Sequence, residues 1–330
     1  MKTWLERLWY QSTRPPRLLL PLAVLYRGIA GRIAARRKSE AIHLPVPVVI
    51  VGNISVGGTG KTPFVIWLIN ELRALGWRPG VVSRGYGGRA PSYPLRVTAE
   101  TSTEHCGDEP ALIARRTGAP VAVAPDRVAA AQLLLDDHDA DIIIADDGLQ
   151  HYRLARNFEI CVIDGSRGIG NGACLPAGPL REPPARLHTV DLIVVNGART
   201  AALPACSTPA ITMHIATRRV RRLQDDETRA IETFAGQTVH AVAGIGNPTR
   251  FFEALRAHGL RVIPHPFPDH YRYAPVDLCF DDDRPVLMTD KDAVKCVSFD
   301  LPQLWAVSIE PQIEAADAAR VRELLAQLRD

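Results

Sequence analysis

The residues best suited to phosphate chemistry stand together at Gly57-Gly58-Thr59-Gly60-Lys61-Thr62. Glycines let successive backbone N–H groups turn inward around phosphate oxygens, and a helix start adds a favourable dipole there. Lys61 is placed to reach β- and γ-phosphates, and the Thr62 hydroxyl to ligate Mg²⁺. Pro63 suits a first helical turn, where a missing N–H costs nothing. The nucleotide cradle is therefore read as Ser55, Val56, Gly57, Gly58, Thr59, Gly60, Lys61 and Thr62. It departs from G-x-x-x-x-G-K-[ST] once, because Ser55 stands where the first glycine is usual. A second feature, Asp141-Ile142-Ile143-Ile144-Ala145-Asp146-Asp147, is an apolar strand ending in carboxylates. Such a strand presents an acid beside the magnesium of a phosphate loop. Asp146 is the first choice for that ligand and Asp147 the second. Gly148-Leu149-Gln150-His151 continues the segment and places His151 near the same edge.

Other polar clusters leave two readings open. Arg84, in Ser83-Arg84-Gly85-Tyr86-Gly87-Gly88, is either part of a plain loop or a bidentate phosphate contact. Asp108, in Gly107-Asp108-Glu109-Pro110, is either a helix N-cap or a carboxylate that accepts a hydroxyl proton. Arg181 and Glu182, in Leu180-Arg181-Glu182-Pro183, read in isolation as a surface turn. His270, after Asp269, is either structural or a proton-handling group. Gly244-Ile245-Gly246 lacks the third glycine of a dinucleotide fingerprint.

These residues need a scaffold that brings them to one edge, and the hydrophobic pattern supplies it. After Leu44, strands alternate with helices. Strands are predicted at 45–51, 79–83, 121–124, 141–145, 159–163 and 192–195, and helices at 62–75, 109–116 and 127–135. Near-continuous apolar strands separated by helices imply an α/β fold with a parallel sheet covered on both faces. A second, smaller α/β unit is expected from about Cys206, entered by an extended linker over 210–220. Its strands are predicted at 239–243, 261–264, 286–289 and 304–309, with a helix at 249–258. A closing amphipathic helix over 314–330 is expected, able to pack back on the first unit. The resulting division is 1–40, 41–205 and 206–313.

The 330 residues are enough for two cored domains, and 46% apolar with 23% charged residues excludes long disorder and collagen-like architecture. Six scattered cysteines without a CxxC pair read as reduced, and close zinc-ligand pairs are missing. Residues 1–40 carry +7, against +3 for the whole chain, so the remainder is −4. Such an arm faces nucleic acid or anionic lipid. Its apolar run, Leu18 to Tyr26, is broken by Pro21 and is expected to be too short to cross a bilayer. The run comes late and basic clusters follow it, unlike a cleaved signal. Trp4, Leu5, Leu8 and Trp9 fall at helical spacing, which fits an interfacial helix or a helix packed on the protein's own core.

In order along the chain, the marks are Val51-Gly52-Asn53 leading into 57–63, Ser83-Arg84-Gly85-Tyr86-Gly87 and Gly107-Asp108-Glu109-Pro110. Asp146-Asp147-Gly148-Leu149-Gln150-His151, Arg181-Glu182-Pro183, Asp269-His270 and Thr289-Asp290-Lys291-Asp292 follow. This combination resembles the tetraacyldisaccharide 4′-kinase (lipid A 4′-kinase) family. The resemblance implies an ATP- and Mg²⁺-dependent P-loop kinase with a membrane-associated N-terminal helix. It implies phosphorylation of the 4′-hydroxyl of a tetraacylated glucosamine disaccharide 1-phosphate, at the cytoplasmic face of a bacterial inner membrane. Asp108 and His270 become the expected catalytic dyad, with Lys61 on the phosphates. Thr62, Asp146, Asp147 and Glu182 form the expected metal set. Arg84, Glu109, His151 and Arg181 are expected substrate or phosphate contacts. The partners implied are the lipid acceptor and an anionic membrane surface, not nucleic acid.

Two rival classes have distinguishing signs. A P-loop GTPase would carry a guanine-reading Asn-Lys-x-Asp, but Val195-Asn196-Gly197 lacks the lysine and aspartate. A non-catalytic membrane-anchored module would show no turnover.

Overall fold

In the computed structural model, residues 2–12, 14–201 and 203–329 are described. Met1, Thr13, Ala202 and Asp330 lie outside them, as do the side chains of Lys2 and Thr3, so the Lys2 charge counted in the arm has no structural account. Two helices come first, α1 (Lys2–Tyr10) and α2 (Leu20–Ser39), the second entered through a 3₁₀ turn at Arg17–Leu19. Here the reading of a short, proline-broken run is corrected. Pro21 falls at the start of α2, where proline is tolerated, and the helix continues past Arg27 and Arg32. By length and composition the stretch Arg17–Ser39 is long and apolar enough to cross a membrane. Leu18, Leu22, Val24, Leu25, Ile29 and Ile33 are exposed on it.

The first part of the sheet follows. Its elements are β1 (Val48–Gly52), α3 (Lys61–Ala74), β2 (Pro79–Ser83), β3 (Leu95–Val97), α4 (Thr103–Cys106), α5 (Asp108–Thr117), β4 (Val121–Val123), α6 (Arg127–Asp136), β5 (Ile142–Asp146), β6 (Phe158–Asp164) and β7 (Leu192–Asn196). β1 runs parallel between β5 and β6. Successive strand residues point to opposite faces, so an all-apolar strand needs cover on both. Val49 and Val51 pack with Phe64, Leu68 and Leu72 of α3 and Ile113 of α5, whereas Ile50 packs with Leu134 of α6 and Leu149. Phe64 is fully buried, worth about 2–3 kcal/mol by apolar transfer.

The second part comprises β8 (Ala210–Arg222), β9 (Thr228–Ala230), β10 (Thr238–Ala243), α7 (Pro248–Ala257), β11 (Arg261–Pro266), β12 (Val286–Thr289), α8 (Asp290–Ala293), β13 (Leu304–Ile313) and α9 (Ala315–Ala326). The segment expected as a linker is β8, a 13-residue strand. It pairs in parallel with β7 through its first residues and antiparallel with β13 along most of its length. One continuous sheet results, in the order β11-β10-β12-β13-β8-β7-β6-β1-β5-β2-β4-β3, with β9 paired to β8. α9 returns to the first part, where Val321 and Leu325 join the core around Phe64 and Arg322 bonds Glu71. The C-terminal ends of β1, β2, β5, β10 and β12 carry the polar clusters singled out in the sequence, the usual location of sites in open α/β sheets.

Candidate active site

The phosphate loop leaves β1 and is strapped to the segment 179–181. Ser55 forms an isolated antiparallel bridge with Leu180. The Val56 N–H donates to the Pro179 carbonyl at 2.9 Å, and the Arg181 N–H to the Ile54 carbonyl at 2.7 Å. Ser55 therefore sits in strand-like pairing and needs no glycine. The left-handed turns fall on Gly57 (φ 107°) and Gly60 (φ 91°). At Gly60 a Cβ would stand 2.3 Å from Asn196 Nδ2, so both conformation and space require glycine. Two buried asparagines brace the loop from outside: Asn53 donates to the Gly57 carbonyl at 3.4 Å and Asn196 to the Thr59 carbonyl at 3.0 Å. Those carbonyls are thereby held away from the cradle. Neither asparagine stood out as a brace in the sequence, and only the pairing of strand ends with the loop identifies them.

The Lys61 Nζ lies 3.3 Å from Asp147 Oδ1, and Arg181 Nη1 lies 3.2 Å from Asp147 Oδ2. Burial alone would raise the Asp147 carboxyl, but the Lys61 and Arg181 charges hold it below its ordinary value. Asp147 sits at φ 50°, a left-handed conformation for a non-glycine residue at the end of β5. Asp146 is different. It is 1% exposed, and neither carboxylate oxygen has a hydrogen-bond partner among the described residues. Burial, then the Glu109 charge, pushes its carboxyl well above the carboxylate range, against the opposing Lys61 charge.

Glu182 lies close by but is engaged. Its Oε1 accepts from Gln150 Nε2 at 2.6 Å, its Oε2 accepts from the Tyr152 hydroxyl, and Arg186 Nε stands 3.4 Å away. His151 is seated at the start of α6, where its Nε2 accepts the Arg127 N–H at 3.4 Å with Asp126 3.8 Å away. Burial, then the Arg127 charge, lowers its imidazole to about 4. Arg84 is exposed at the end of β2, with no ion pair or hydrogen bond to its guanidinium among the described residues.

The second cluster joins the two parts of the sheet. The N-cap of α5 is Gly107, without a side-chain cap, so Asp108 is the first helical residue and not a cap. Its Oδ2 lies 3.0 Å from His270 Nδ1. Burial pushes the Asp108 carboxyl up, but the His270 hydrogen bond and the Lys295 and Lys291 charges outweigh it and hold the group below its ordinary value. His270 adopts φ 62°, and the Tyr86 ring stands 5.3 Å from the imidazole. Gly107 lets the 85–88 loop approach, since a Cβ there would stand 2.5 Å from the Tyr86 carbonyl. Glu109 Oε1 pairs with Lys291 Nζ at 3.2 Å, and Arg116 with Asp290 at 2.5 Å. Lys295 was not singled out in the sequence. Its signal is helical spacing from Asp292 after a strand end.

The arm touches the supports of the phosphate-loop cluster. Trp9 Nε1 donates to the Pro176 carbonyl at 3.1 Å, and the Tyr10 hydroxyl reaches the Val56 carbonyl at 3.4 Å. The Tyr26 hydroxyl donates to the Arg181 carbonyl at 3.2 Å.

A family model described as Tetraacyldisaccharide-1-P 4'-kinase matches residues 16–329. A relative named Tetraacyldisaccharide 4'-kinase in Alkalilimnicola ehrlichii is 52% identical over 322 residues, covering 96% of this chain and 95% of that protein. Another of the same name in Hahella chejuensis is 48% identical, covering 100% of this chain and 98% of that protein. Among solved structures, LpxK from Aquifex aeolicus, an "apo" form in complex with ATP, is similar with a TM-score of 0.80 at 28% identity, covering 94% of this chain and 98% of that one. With the phosphate loop, the Asp146–Asp147 strand end and the Asp108–His270 contact on one sheet edge, these matches confirm the resemblance read from the ordered motifs: the chain belongs to the tetraacyldisaccharide 4′-kinase family.

Proposed function

We propose that this chain transfers the γ-phosphate of ATP to the 4′-hydroxyl of a tetraacylated glucosamine disaccharide 1-phosphate, forming lipid IVA in lipid A biosynthesis. The observation that carries the reading is the placement of Lys61, in a braced phosphate loop, on the same sheet edge as Asp108 in contact with His270.

Phosphoryl transfer needs positioning and charge neutralisation more than covalent help. Residues 55–62 wrap the phosphates, and Lys61 exchanges its contact with Asp147 for phosphate oxygens. Arg181 then remains on Asp147 and keeps that carboxylate ionised. Asp108, ionised and aimed by His270, accepts the proton of the acceptor hydroxyl. A base of this kind contributes roughly 10²–10⁴-fold in rate. Arg84 and Glu109 border the dyad's loop and helix and are assigned to acceptor or phosphate contacts, whereas His151, expected among those contacts, accepts the Arg127 N–H at the start of α6 and is assigned to support there. Closure of the β8–β13 part over the β1–β7 part would exclude water.

The residues fit a magnesium ion, because Asp146 offers two buried oxygens without a hydrogen-bond partner among the described residues, where a cation would compensate them. Asp146, Asp147 and the Thr62 hydroxyl would hold it. Glu182 would enter only by exchanging a bond now made to Gln150, Tyr152 or Arg186. When bound, magnesium supplies charge neutralisation on the phosphate oxygens.

The +7 arm and the exposed apolar face of α2 support residence at the cytoplasmic face of the inner membrane, with the arm in contact with anionic lipid. The test is transfer of labelled γ-phosphate from ATP to the solubilised disaccharide 1-phosphate, with GTP in competition. Labelled lipid formed from ATP and unaffected by excess GTP is expected. A folded protein that transfers nothing would sink the reading.

A further inference from the structure

The segment Thr289-Asp290-Lys291-Asp292 ends β12 and forms α8, and Lys295 follows one turn later. Nothing in the reaction as derived uses Asp292 or Lys295, yet both are deeply buried, the lysine side chain 6% and the aspartate side chain 0% exposed. Burying a charge is costly unless it is paired and hydrogen-bonded, so such a pair implies specific partners. Lys295 Nζ stands 2.9 Å from Asp292 Oδ1, 3.5 Å from Asp108 Oδ2 and 3.1 Å from the Tyr271 carbonyl. The Tyr273 ring lies beneath the ammonium at 5.2 Å. Asp292 is held in turn, because its Oδ2 accepts the Gly244 N–H at 3.0 Å and the Thr289 hydroxyl at 2.6 Å. The Gly244 carbonyl accepts the His270 N–H at 3.2 Å. One network therefore reaches Asp108 through its carboxylate and His270 through its backbone.

We infer that the Asp292–Lys295 pair is a positioning element of the reaction, fixing Asp108 in its ionised form and aiming it at His270. This rests on Asp108 being the proton acceptor. The contact crosses between the two parts of the sheet, so a first-part base is oriented by a second-part cation. The titratable groups facing Asp108 are His270, Lys295 and Lys291, with Glu109 beside it on α5. Those facing Lys295 are Asp292 and Asp108. Lys291 is turned to Glu109 and Asp269, so among the described residues Lys295 is the lysine within 4 Å of the Asp108 carboxylate, beside His270 at 3.0 Å. An opposite charge at this range favours the ionised acid by roughly 1–3 pH units.

The experiment is the pH dependence of kcat at saturating ATP and acceptor. Lys295→Gln, whose amide can still donate to Asp292, is expected to move the acidic limb upward by about 1–3 pH units. ATP affinity should stay within about threefold, since no nucleotide contact is lost. Lys295→Arg, which keeps the charge, should leave the limb where the wild-type enzyme has it. If Lys295→Gln does not fold because Asp292 is left ionised and buried, Lys295→Gln/Asp292→Asn removes both charges and should still raise the limb. A folded neutral variant whose limb does not move overturns the inference, however low its kcat. Asp108→Ala separates the two failures. Near-wild-type turnover there would remove the base reading itself, whereas collapsed turnover with an unmoved Lys295→Gln limb would remove only the positioning role.

Discussion

The two halves of the site are built by different means. The phosphate loop is shaped by backbone, with glycine turns at 57 and 60 and carbonyls tied by Asn53 and Asn196 within one part of the sheet. The Asp108–His270 contact is made by side chains that meet across both parts, and it is surrounded by ion pairs such as Glu109–Lys291 and Arg116–Asp290. A backbone cradle is set when its own core folds. A side-chain contact across two parts depends on how those parts sit together. Nucleotide binding and proton transfer should therefore respond to different substitutions.

The largest effect is expected at the cradle. Lys61→Ala should lower kcat by on the order of 10³-fold or more, with the thermal transition little changed, because it removes charge stabilisation from the phosphates. Steady-state kinetics on the folded variant check this, and near-wild-type kcat would undo the assignment. Asp108→Ala should lower kcat by roughly 10²–10⁴-fold while ATP affinity, read by direct titration, stays near wild type. An affinity that fell in step with kcat would place Asp108 on the nucleotide or its metal and erase the contrast between the halves.

A subtler test addresses the contact between the parts. Arg116→Ala strands the buried Asp290 carboxylate, and breaking such a pair costs about 2–4 kcal/mol in urea denaturation. The double variant Arg116→Leu/Asp290→Asn should recover most of it. If the single variant unfolds like the wild type, the ion pairs between the parts do not hold them. The smallest effect concerns His151, an imidazole lowered to about 4 in the fold and near 6.5 when unfolded. The unfolded state takes up its proton first as pH falls. Its contribution is therefore complete above about pH 6.5 and is lost between there and about pH 4. After allowance for partial solvent screening, the loss should be about 1–2 kcal/mol, and His151→Gln should flatten that part of the stability–pH curve.

Much of this was readable from residue order. The apolar strands at 79–83 and 286–289 fall where the pattern puts them, because buried parallel strands are continuous apolar runs. β3, β9, α4 and α8 leave no mark in the pattern, because they are short and carry polar residues, whereas the equally short β4 and β12 are apolar runs. β8 read as a linker because Arg218, Arg219, Arg221 and Arg222 mask its alternation, and only pairing with β13 makes it a strand. Pro21 read as a break because proline is ambiguous until the helix start is known. The loop and acidic strand end were legible as local motifs, but Asn196 and Lys295 act on residues far along the chain, which no local pattern displays.

The return of α9 to α3 has a consequence for synthesis. Arg322 meets Glu71 across 251 positions of sequence, and Val321 and Leu325 complete the core that Phe64 begins. A chain emerging from the ribosome N-terminus first cannot seal the phosphate-binding part when its own strands are finished. It must wait until the whole β8–β13 part and α9 have been made, at about 5–20 residues per second. For that interval the apolar face of α3 lacks part of its cover, while α2 already presents an unburied apolar surface. Early capture of the arm by a bilayer would hold the nascent chain apart from its neighbours during the time when it is most prone to associate with them.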